Sequence, residues 1–534
     1  MLTLGFNLGH DQGAALIRDG RIICAVSQER LDRIKHSSGV NVPHLAIDYC
    51  LKSSGTSWKD LDVVVYNYPH HTKAYDRIDA VESEVLELWG QKPVFVPHHL
   101  SHACAAFYAS PFKEANVIVA DGAGNLVAGR VEKFYAQNGW PINASPEDIE
   151  AESGFYFTGE QIKPLFARYQ TRYGHNQVLS LGRMYWETCL HVGMGILDGG
   201  KLMGLAPYGR DGTPVDRTAL DGPDFKISKD LITALPNGSF EKNARAAHII
   251  QKNLEQMILL LAEYCHSLSP CPNLCMSGGI ALNAISNRQI INQRKYQNLF
   301  IVPPCNDSGI PLGCAYYGYY RVLKGAERAP YTQYTGRKYG EDVIRAAIGG
   351  LLHCKCDDIA DEVAELLEQG RVVGWFQGKS EYGPRALGNR SILCDPRRAK
   401  NKDRLNNKVK HRENYRPFAP SVPLEHASKY FEMPCKDSPF MLLILEVFEK
   451  QKPYLPAITH VDGTARVQTV RREDNPRYYR LLTAFGKRTG VYVLLNTSFN
   501  IAGEPIVETP QDAVRCFLNT QIDYLAIGDY LVWK

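Results

Sequence analysis

Leu2-Thr-Leu-Gly-Phe-Asn7-Leu-Gly9-His10-Asp11-Gln-Gly13-Ala-Ala-Leu-Ile17 is the stretch on which the reading of the fold turns. Residues 2 to 8 are apolar and strand-like, and a glycine turn from Gly9 to Gly13 interrupts them. Ala14 to Ile17 leads to a second turn at Asp19-Gly20, and Arg21 to Val26 completes a sheet rich in hairpins. The same grammar returns later. A strand from Ala115 to Ala120 meets Asp121-Gly122-Ala123-Gly124, and a further strand is expected from Leu126 to Val131, followed by Lys133-Phe-Tyr135.

Two such beginnings imply an internal duplication. Two halves facing a cleft describe the superfamily of sugar kinases, heat-shock proteins and actin, in which turns of this kind approach a nucleotide's phosphates. Exposed backbone N–H groups in a glycine turn cradle anions, and this accounts for the glycines.

His98-His99-Leu100-Ser101-His102-Ala-Cys-Ala-Ala-Phe107-Tyr108 has no Gly or Pro before Pro111 and reads as a buried helix, with His98 and His102 at i and i+4 on one face. A bare pair of this kind is more often structural than ligating. Asp121 at a strand end adds an oxygen donor, and the strand Leu299 to Pro303 runs into Asn306-Asp307-Ser308-Gly309 before an aromatic helical stretch, Leu312 to Tyr320. Two histidines and one or two carboxylates suit iron(II), zinc or manganese. Asn273 to Met276 forms a short strand that enters Ser277-Gly278-Gly279-Ile-Ala-Leu-Asn283 and a helix from Ala284 to Gln293. That arrangement favours a nucleotide, because a helix N-terminus attracts anions and glycine permits close approach.

The chain's 534 residues exceed one ordinary core, so at least two domains are expected. A net charge of +4 and a pI near 8.3 point to neither a nucleic-acid nor a membrane partner. No apolar run reaches the roughly 18 to 20 residues that span a bilayer, and the N-terminus lacks the pattern of a signal peptide, so a cytoplasmic location is expected. The fourteen cysteines read as small buried hydrophobes in a reducing compartment. Only Cys271/Cys275 and Cys354/Cys356 are close pairs, and neither has the second pair of a structural zinc site.

Elsewhere in the first half, residues 44 to 54 read as helix, and Leu61 to Tyr66 as a strand ending near Asn67-Tyr-Pro-His-His71. Ala80 to Leu88 reads as an acidic helix whose charges face solvent. Phe155-Tyr-Phe157, Tyr173-Gly-His175, Tyr185-Trp186 and Gly199 to Gly209 are rich in aromatics and glycines. They supply core and could line an acceptor cavity.

The polar stretch from Leu323 to Gly340 reads as the linker between domains. Beyond it come a helix, Ile359 to Gln369, and a strand, Arg371 to Phe376. Gly383-Pro-Arg385-Ala-Leu-Gly-Asn-Arg390 opens a basic region that runs through Lys410 and Arg412 to Arg416-Pro-Phe-Ala-Pro420 with few acids. Gly-Pro turns and strands break up these positives, so a pocket for phosphates or carbamoyl phosphate fits better than a nucleic-acid surface. Arg397 to Arg404 are expected as a solvated face. His460 to Gln468, with Arg466, and the strand Val491 to Leu495 entering Asn496-Thr-Ser498-Phe-Asn500 add strand-edge hydrogen-bond donors. A helix from Pro510 to Asn519 and one last strand, Tyr524 to Trp533, close the chain.

Together these pieces resemble the O-carbamoyltransferases that include the nodulation-factor, cephem and tobramycin carbamoylating enzymes. The resemblance spans nearly the whole chain, through Asn7 to Asp11, Glu29 to Lys35, His98 to His102, Asp121-Gly, Lys201-Leu-Met-Gly-Leu-Ala, Ser277 to Asn283, Asp307, Gly383 to Arg390, Lys410 to Pro420 and Asn496 to Asn500. It implies an α/β and α+β architecture. Residues 1–335 would form an actin-like (ASKHA) two-lobed domain similar to tRNA threonylcarbamoyl-transfer enzymes, and residues 345–534 a YrdC-like domain.

The resemblance also implies an activity: carbamoyl phosphate and ATP give carbamoyl adenylate in the second domain, and the first delivers the carbamoyl group to a hydroxyl of a secondary metabolite or saccharide. His98, His102, Asp121 and Asp307 would then hold a metal, expected to be iron(II), with zinc, manganese and magnesium as alternatives. Gly9, Asp11, Ser277, Gly278, Gly279 and Asn283 would hold nucleotide. Arg385, Lys410, Arg416, His460, Arg466, Asn496 and Ser498 would bind carbamoyl phosphate and ATP. His10 is the candidate general base, since imidazole titrates near neutrality, and Lys35 the candidate partner of a phosphate. The expected partner is a small hydroxylated acceptor, with no nucleic acid and no membrane, and a homodimer is left open. The rival readings are an actin-like kinase or ATPase, a tRNA threonylcarbamoylating enzyme and a non-enzymatic nucleotide-dependent scaffold.

Overall fold

The computed structural model describes residues 1–68, 78–159, 161–171, 178–210 and 225–534. It divides into two compact units, Met1–Glu29 with His36–Tyr331, and Arg30–Lys35 with Thr332–Lys534.

The first unit is built on two five-stranded sheets of one plan. β1 (Leu2–Asn7), β2 (Gly13–Arg18), β3 (Arg21–Ser27), β4 (Val63–Asn67) and β5 (Val94–Phe95) lie in the order β3-β2-β1-β4-β5. β6 (Glu114–Ala120), β7 (Ile149–Thr158), β8 (Ile162–Gln170), β9 (Asn273–Ser277) and β10 (Asn298–Ile301) lie in the order β8-β7-β6-β9-β10. In each sheet the first three strands meander antiparallel, and the last two run parallel to the first. The duplication is therefore one of topology.

Its second copy departs from the expected spelling. Leu126 makes a single bridge to Ile149, and Arg130–Gln137 is a helix rather than the continuation of a strand. The buried residues there, Val131 and Tyr135, repeat at four, which is a helical period and not a strand's. The return strand β7 begins only at Ile149.

Numbered in order, the helices of this unit that matter here are α1 (His44–Ser54), α2 (Ile78–Trp89), α3 (His98–Ala109), α4 (Arg130–Gln137), α5 (Phe240–Leu268), α6 (Ala284–Asn292) and α7 (Ile310–Tyr317). α3 follows β5 as α7 follows β10. Every residue of α3 is buried, so its histidines lie in the core and not on a surface. Glycines set the close approaches: a Cβ on Gly5 of β1 would stand 2.1 Å from the Pro311 carbonyl oxygen, and one on Gly313 of α7 would stand 1.8 Å from that of Ser101 in α3. α7 is thereby pressed against both β1 and α3, which brings Asp307, just before it, towards His98 and His102.

α2 leaves Glu87 exposed as expected but departs from a solvated acidic face at Glu82. Glu82 is buried, accepts the Tyr66 hydroxyl at 2.6 Å, and pairs with Arg130 of α4 and with Lys92. Tyr173-Gly-His175 and Pro69 to His71 lie outside the described residues.

The second unit centres on an eight-stranded mixed sheet. β11 (Leu352–Lys355), β12 (Val373–Phe376), β13 (Arg390–Cys394), β14 (Ala419–Pro423), β17 (Gln468–Val470), β18 (Leu494–Ser498), β19 (Tyr524–Ile527) and β20 (Tyr530–Trp533) take the order β11-β20-β19-β12-β13-β18-β14-β17. β15 (Ile444–Glu446) and β16 (Thr464–Arg466) pair separately. α8 (Ile359–Glu368) and α9 (Pro476–Thr489) pack with Trp375, Leu393, Val363, Leu481 and Phe485 into one core.

Local chemistry sets the helix ends. Asp358 accepts the Ala360 N–H, and Asn475 accepts that of Tyr478 just ahead of Pro476. Gly490 closes α9 in the left-handed region at φ 74°. Thr509 and Asp512 form a capping box on α10 (Pro510–Leu518).

Two expectations change here. Tyr524 to Trp533 is a hairpin and not one strand: Gly528 takes φ 58°, and Tyr524 pairs back onto Trp533. Arg397 and Arg404 are not a bare solvated face either, because Arg397 grips the buried Asp395 with Nε and a terminal nitrogen, and Arg404 grips Asp523 at 2.8 and 2.9 Å.

Candidate metal centre and anion-binding residues

In the first unit His98, His102, Asp121 and Asp307 converge. One ligand atom from each lies within 4.8 Å of all the others, and all four residues are buried. His98 Nε2 stands 3.2 Å from Asp121 and 3.7 Å from Asp307, and His102 Nε2 stands 3.5 Å from Asp307. α3 supplies the histidines, the end of β6 supplies Asp121, and the turn before α7 supplies Asp307.

The outer nitrogens make the argument for a cation. His98 Nδ1 lies 3.2 Å from the Asn67 side-chain oxygen, and His102 Nδ1 lies 3.0 Å from the Ser277 hydroxyl. An N–H donated outward from each ring leaves both Nε2 lone pairs facing the two carboxylates. His102 Nε2 is buried without a hydrogen bond. Lone pairs and anions turned on one another in a buried space call for a positive charge between them, and this donor set fits a borderline divalent metal.

The electrostatics agree. Burial opposes a charge on His98, but Asp307 and Asp121 together raise its pKa. Burial likewise works against ionised Asp121, yet His98, His102 and the Gly279 N–H hold its carboxyl well below the usual range. His99, whose Nδ1 meets Ser153 at 2.7 Å, is pushed down by burial and by His98, and stays neutral beside the cluster.

His10 borders the same cluster. Its Nε2 lies 3.1 Å from Asp307, its Nδ1 lies 3.4 Å from Asp11, and Asp307 above all raises its pKa to about 10. Asp11 does not stand free for a nucleotide: its carboxylate faces His36 Nδ1 at 2.8 Å and accepts the Asn306 amide at 2.9 Å. Gly9, at φ 95°, exchanges backbone hydrogen bonds with Gly39.

The Ser277–Asn283 turn serves the cluster more directly than the sequence suggested. Gly278 takes φ 90°, and a Cβ there would meet the Ala120 carbonyl oxygen at 2.2 Å. This approach lets the Gly279 N–H reach Asp121 at 2.8 Å. Ser277 donates to the Cys305 carbonyl at 3.2 Å, and Asn283 caps α6 by accepting the Ser286 N–H at 3.0 Å.

The second unit gathers cations. Lys410 Nζ is buried and bonds Ser498 and both oxygens of Asn500, and burial first, then Arg412, pushes its pKa well down. Lys35 folds with this unit and adds positive potential at Lys410. Burial lowers Arg466 well below a free guanidinium, and Arg385, Arg412 and Arg416 all press in the same direction. Its Nε is buried without a hydrogen bond. Among these groups Arg416 reaches one acid, Glu413, at 3.8 Å. Guanidinium groups gathered in this way are suited to an oxyanion.

Asn496 holds the turn together, its amide nitrogen reaching the Ser421 hydroxyl at 3.0 Å and Gln468 at 3.2 Å. Its side-chain oxygen is buried without a hydrogen bond. His460 is buried, and its backbone N–H donates to the Thr464 carbonyl at 2.8 Å.

Asn67, Asn306 and His36 were missed from sequence. Asn67 ends a strand that read as core, and only its position at the tip of β4 hinted at a role.

Comparison with known proteins finds matches over most of the chain. The N-terminus model of the carbamoyltransferase family matches residues 3–87 and 71–316, and its C-terminus model matches residues 364–534. Nodulation protein NolNO of Sinorhizobium fredii is 36% identical over 98% of this chain and 79% of its own length. The 3'-hydroxymethylcephem-O-carbamoyltransferase of Amycolatopsis lactamdurans is 35% identical over 99% of this chain and 98% of its own. Among solved structures, full-length HypF in its phosphate- and nucleotide-bound form gives a remote likeness, with TM-score 0.40 and 15% identity over 61% of this chain and 47% of that one.

Proposed function

The chain belongs to the carbamoyltransferase family and is a carbamoyltransferase, and from that premise we propose that it moves a carbamoyl group from carbamoyl phosphate, with ATP and by way of carbamoyl adenylate, to a hydroxyl of a small acceptor. The observation that carries the proposal is the convergence of His98, His102, Asp121 and Asp307 beside His10.

The second unit performs the activation in this reading. Water would cleave carbamoyl phosphate to carbamate and inorganic phosphate, and the carbamate oxygen would attack the α-phosphorus of ATP, giving carbamoyl adenylate as pyrophosphate leaves. Arg385, Arg412, Arg416, Arg466 and Lys410 would offset the charge on the carbamoyl phosphate and on the phosphates of ATP, as pre-placed cations do most strongly away from water. The crowding of like charge around Arg466 supports this assignment. Lys35 adds to the same field, and Ser498, bonded to Lys410 at 3.2 Å, orients the ammonium.

The first unit performs the transfer. His98, His102, Asp121 and Asp307 would hold a cation, iron(II) before zinc, manganese or magnesium, which would supply Lewis-acid chemistry toward the carbamoyl group. With a cation at the cluster offsetting the Asp307 charge that otherwise keeps the imidazole protonated, His10 would accept the proton of the acceptor hydroxyl as its oxygen attacks the carbamoyl carbon and AMP leaves. Gly279 keeps Asp121 in place through its N–H. The duplicated sheet plan supports an actin-like first unit, and the family resemblance supports a YrdC-like second one. The mild net charge supports a small acceptor over nucleic acid or membrane, and no described helix is long and apolar enough to cross a membrane.

The test is turnover. Purified protein with iron(II), ATP, carbamoyl phosphate and a panel of hydroxylated metabolites should release pyrophosphate only when carbamoyl phosphate is present, and should yield a carbamate ester by mass spectrometry. Pyrophosphate release that needs threonine, bicarbonate and tRNA instead, or ATP turnover indifferent to carbamoyl phosphate, would overturn the proposal.

A further inference from the structure

We infer that His36 is a positioning residue for carbamoyl transfer, acting through Asp11 to fix the ring of His10. The inference deepens the reading of His10 as the base and rests on it.

The contacts run in one line. His36 Nδ1 meets one oxygen of Asp11 at 2.8 Å. The other oxygen of Asp11 accepts the Asn306 amide at 2.9 Å and faces His10 Nδ1 at 3.4 Å, and His10 Nε2 reaches Asp307 at 3.1 Å. An ionised carboxylate only accepts, so the hydrogens in these contacts sit on the two Nδ1 atoms and on the amide. Asp11 is thereby held from two sides, and the side it shows to His10 is the one that selects which ring nitrogen faces the cluster.

The backbone is arranged for this purpose. Asp11 and His36 both take positive φ, 52° and 56°, in the left-handed region, which Asp and His enter more often than most residues besides Gly and Asn. The Glu29 carboxylate accepts the backbone N–H of His36 at 2.8 Å and pins the loop in that conformation. A residue kept at such a φ with its side chain on a buried carboxylate is held there by its neighbours, a pattern that clusters at functional sites.

The φ value also supplies the controls. His36→Gly keeps the backbone at ease and removes the imidazole. His36→Asn keeps a residue tolerant of this region and puts a side-chain N–H near the place of Nδ1. Transfer is measured in the metal-loaded full chain, with 3'-hydroxymethylcephem as first acceptor probe and then any acceptor the panel returns, while carbamoyl-phosphate-dependent pyrophosphate release is followed in the same samples.

His36→Gly is expected to lower kcat for transfer about 10- to 100-fold, the range seen when the outer partner of an active histidine is lost, with KM for the acceptor and pyrophosphate release near wild type. His36→Asn should recover most of the rate, and added imidazole should restore part of it to His36→Gly. A crystal structure of His36→Gly gives a readout that needs no acceptor and should show the His10 ring turned away from Asp11. Wild-type transfer by His36→Gly, equal impairment of the Gly and Asn variants without imidazole rescue, or an unmoved His10 ring would each overturn the inference. Undiminished transfer by His10→Ala would instead overturn the underlying role of His10.

Discussion

His102 turns its Nδ1 onto the hydroxyl of Ser277 at 3.0 Å, and Ser277 passes its own hydrogen to the Cys305 carbonyl at 3.2 Å. The relay has one direction, because the carbonyl only accepts. The hydroxyl must therefore accept from the ring, and His102 carries its proton on Nδ1 and presents a bare Nε2 to Asp307. Ser277→Ala should weaken metal retention about 10- to 100-fold while leaving the fold intact. Iron content after dialysis against a graded chelator measures this, and wild-type retention would remove Ser277 from control of the site.

Chelation should separate the two proposed half-reactions. The ligand cluster lies in the first unit, and the crowded cations lie in the second. A strong chelator should abolish carbamate formation and spare carbamoyl-phosphate-dependent pyrophosphate release, with iron(II) restoring transfer. Loss of both activities together would contradict this division.

Arg466 is held among like charges with its Nε unbonded, and in the proposed reading an oxyanion would offset that crowding. Carbamoyl phosphate should raise the Tm of wild type by mass action and fail to raise that of Arg466→Met. The variant should also lose pyrophosphate release, and without ligand at low salt it should be no less stable than wild type. Equal ligand-induced shifts in both proteins would remove Arg466 from the anion site.

The convergence of His98, His102, Asp121 and Asp307 was legible in part because its signals were local. Two histidines four apart on an apolar helix share a face whatever the fold, and Asp121 and Asp307 each stand where an apolar run ends. The supporting groups carried no such signal: the role of Asn67 depends on β4 lying parallel to β1, and that of His36 on a left-handed backbone.

The helix Arg130–Gln137 was misread because the hairpin grammar of the first sheet was carried into the second, where Val131 and Tyr135 already spoke for a helical period. Charge partners were the least legible. Asp395 and Asp523 reach Arg397 and Arg404 from very different distances along the chain, so a basic run looked solvated when part of it was paired.

Gly313 should be intolerant of any side chain. Its Cβ would stand 1.8 Å from the Ser101 carbonyl oxygen and 3.2 Å from the Ala105 nitrogen, and backbone of a buried helix cannot retreat as a side chain does. Gly313→Ala should cost at least about 2 kcal/mol through overpacking and move α3 away from α7. A lower Tm together with faster metal loss than in wild type is the expected pair of results, and an unchanged Tm would show that the helices cross more loosely.

Glu82 gives the protein an acid-sensitive tie. Burial alone would favour its protonated form, but Arg130, Tyr66 and Lys92 outweigh burial and hold its pKa below the ordinary 4.5. A carboxyl with a depressed folded pKa binds fewer protons folded than unfolded, so its contribution is complete above pH 4.5 and fades as pH falls through the folded value. Glu82→Ala also strips Tyr66 and the half-buried Arg130 of their shared partner, which costs about 2 to 3 kcal/mol at neutral pH. The Tm gap between wild type and this variant should therefore be widest above pH 4.5 and narrow steadily below it. A gap independent of pH would mean that packing around α2 and α4, and not the charge of Glu82, holds this part of the first unit together.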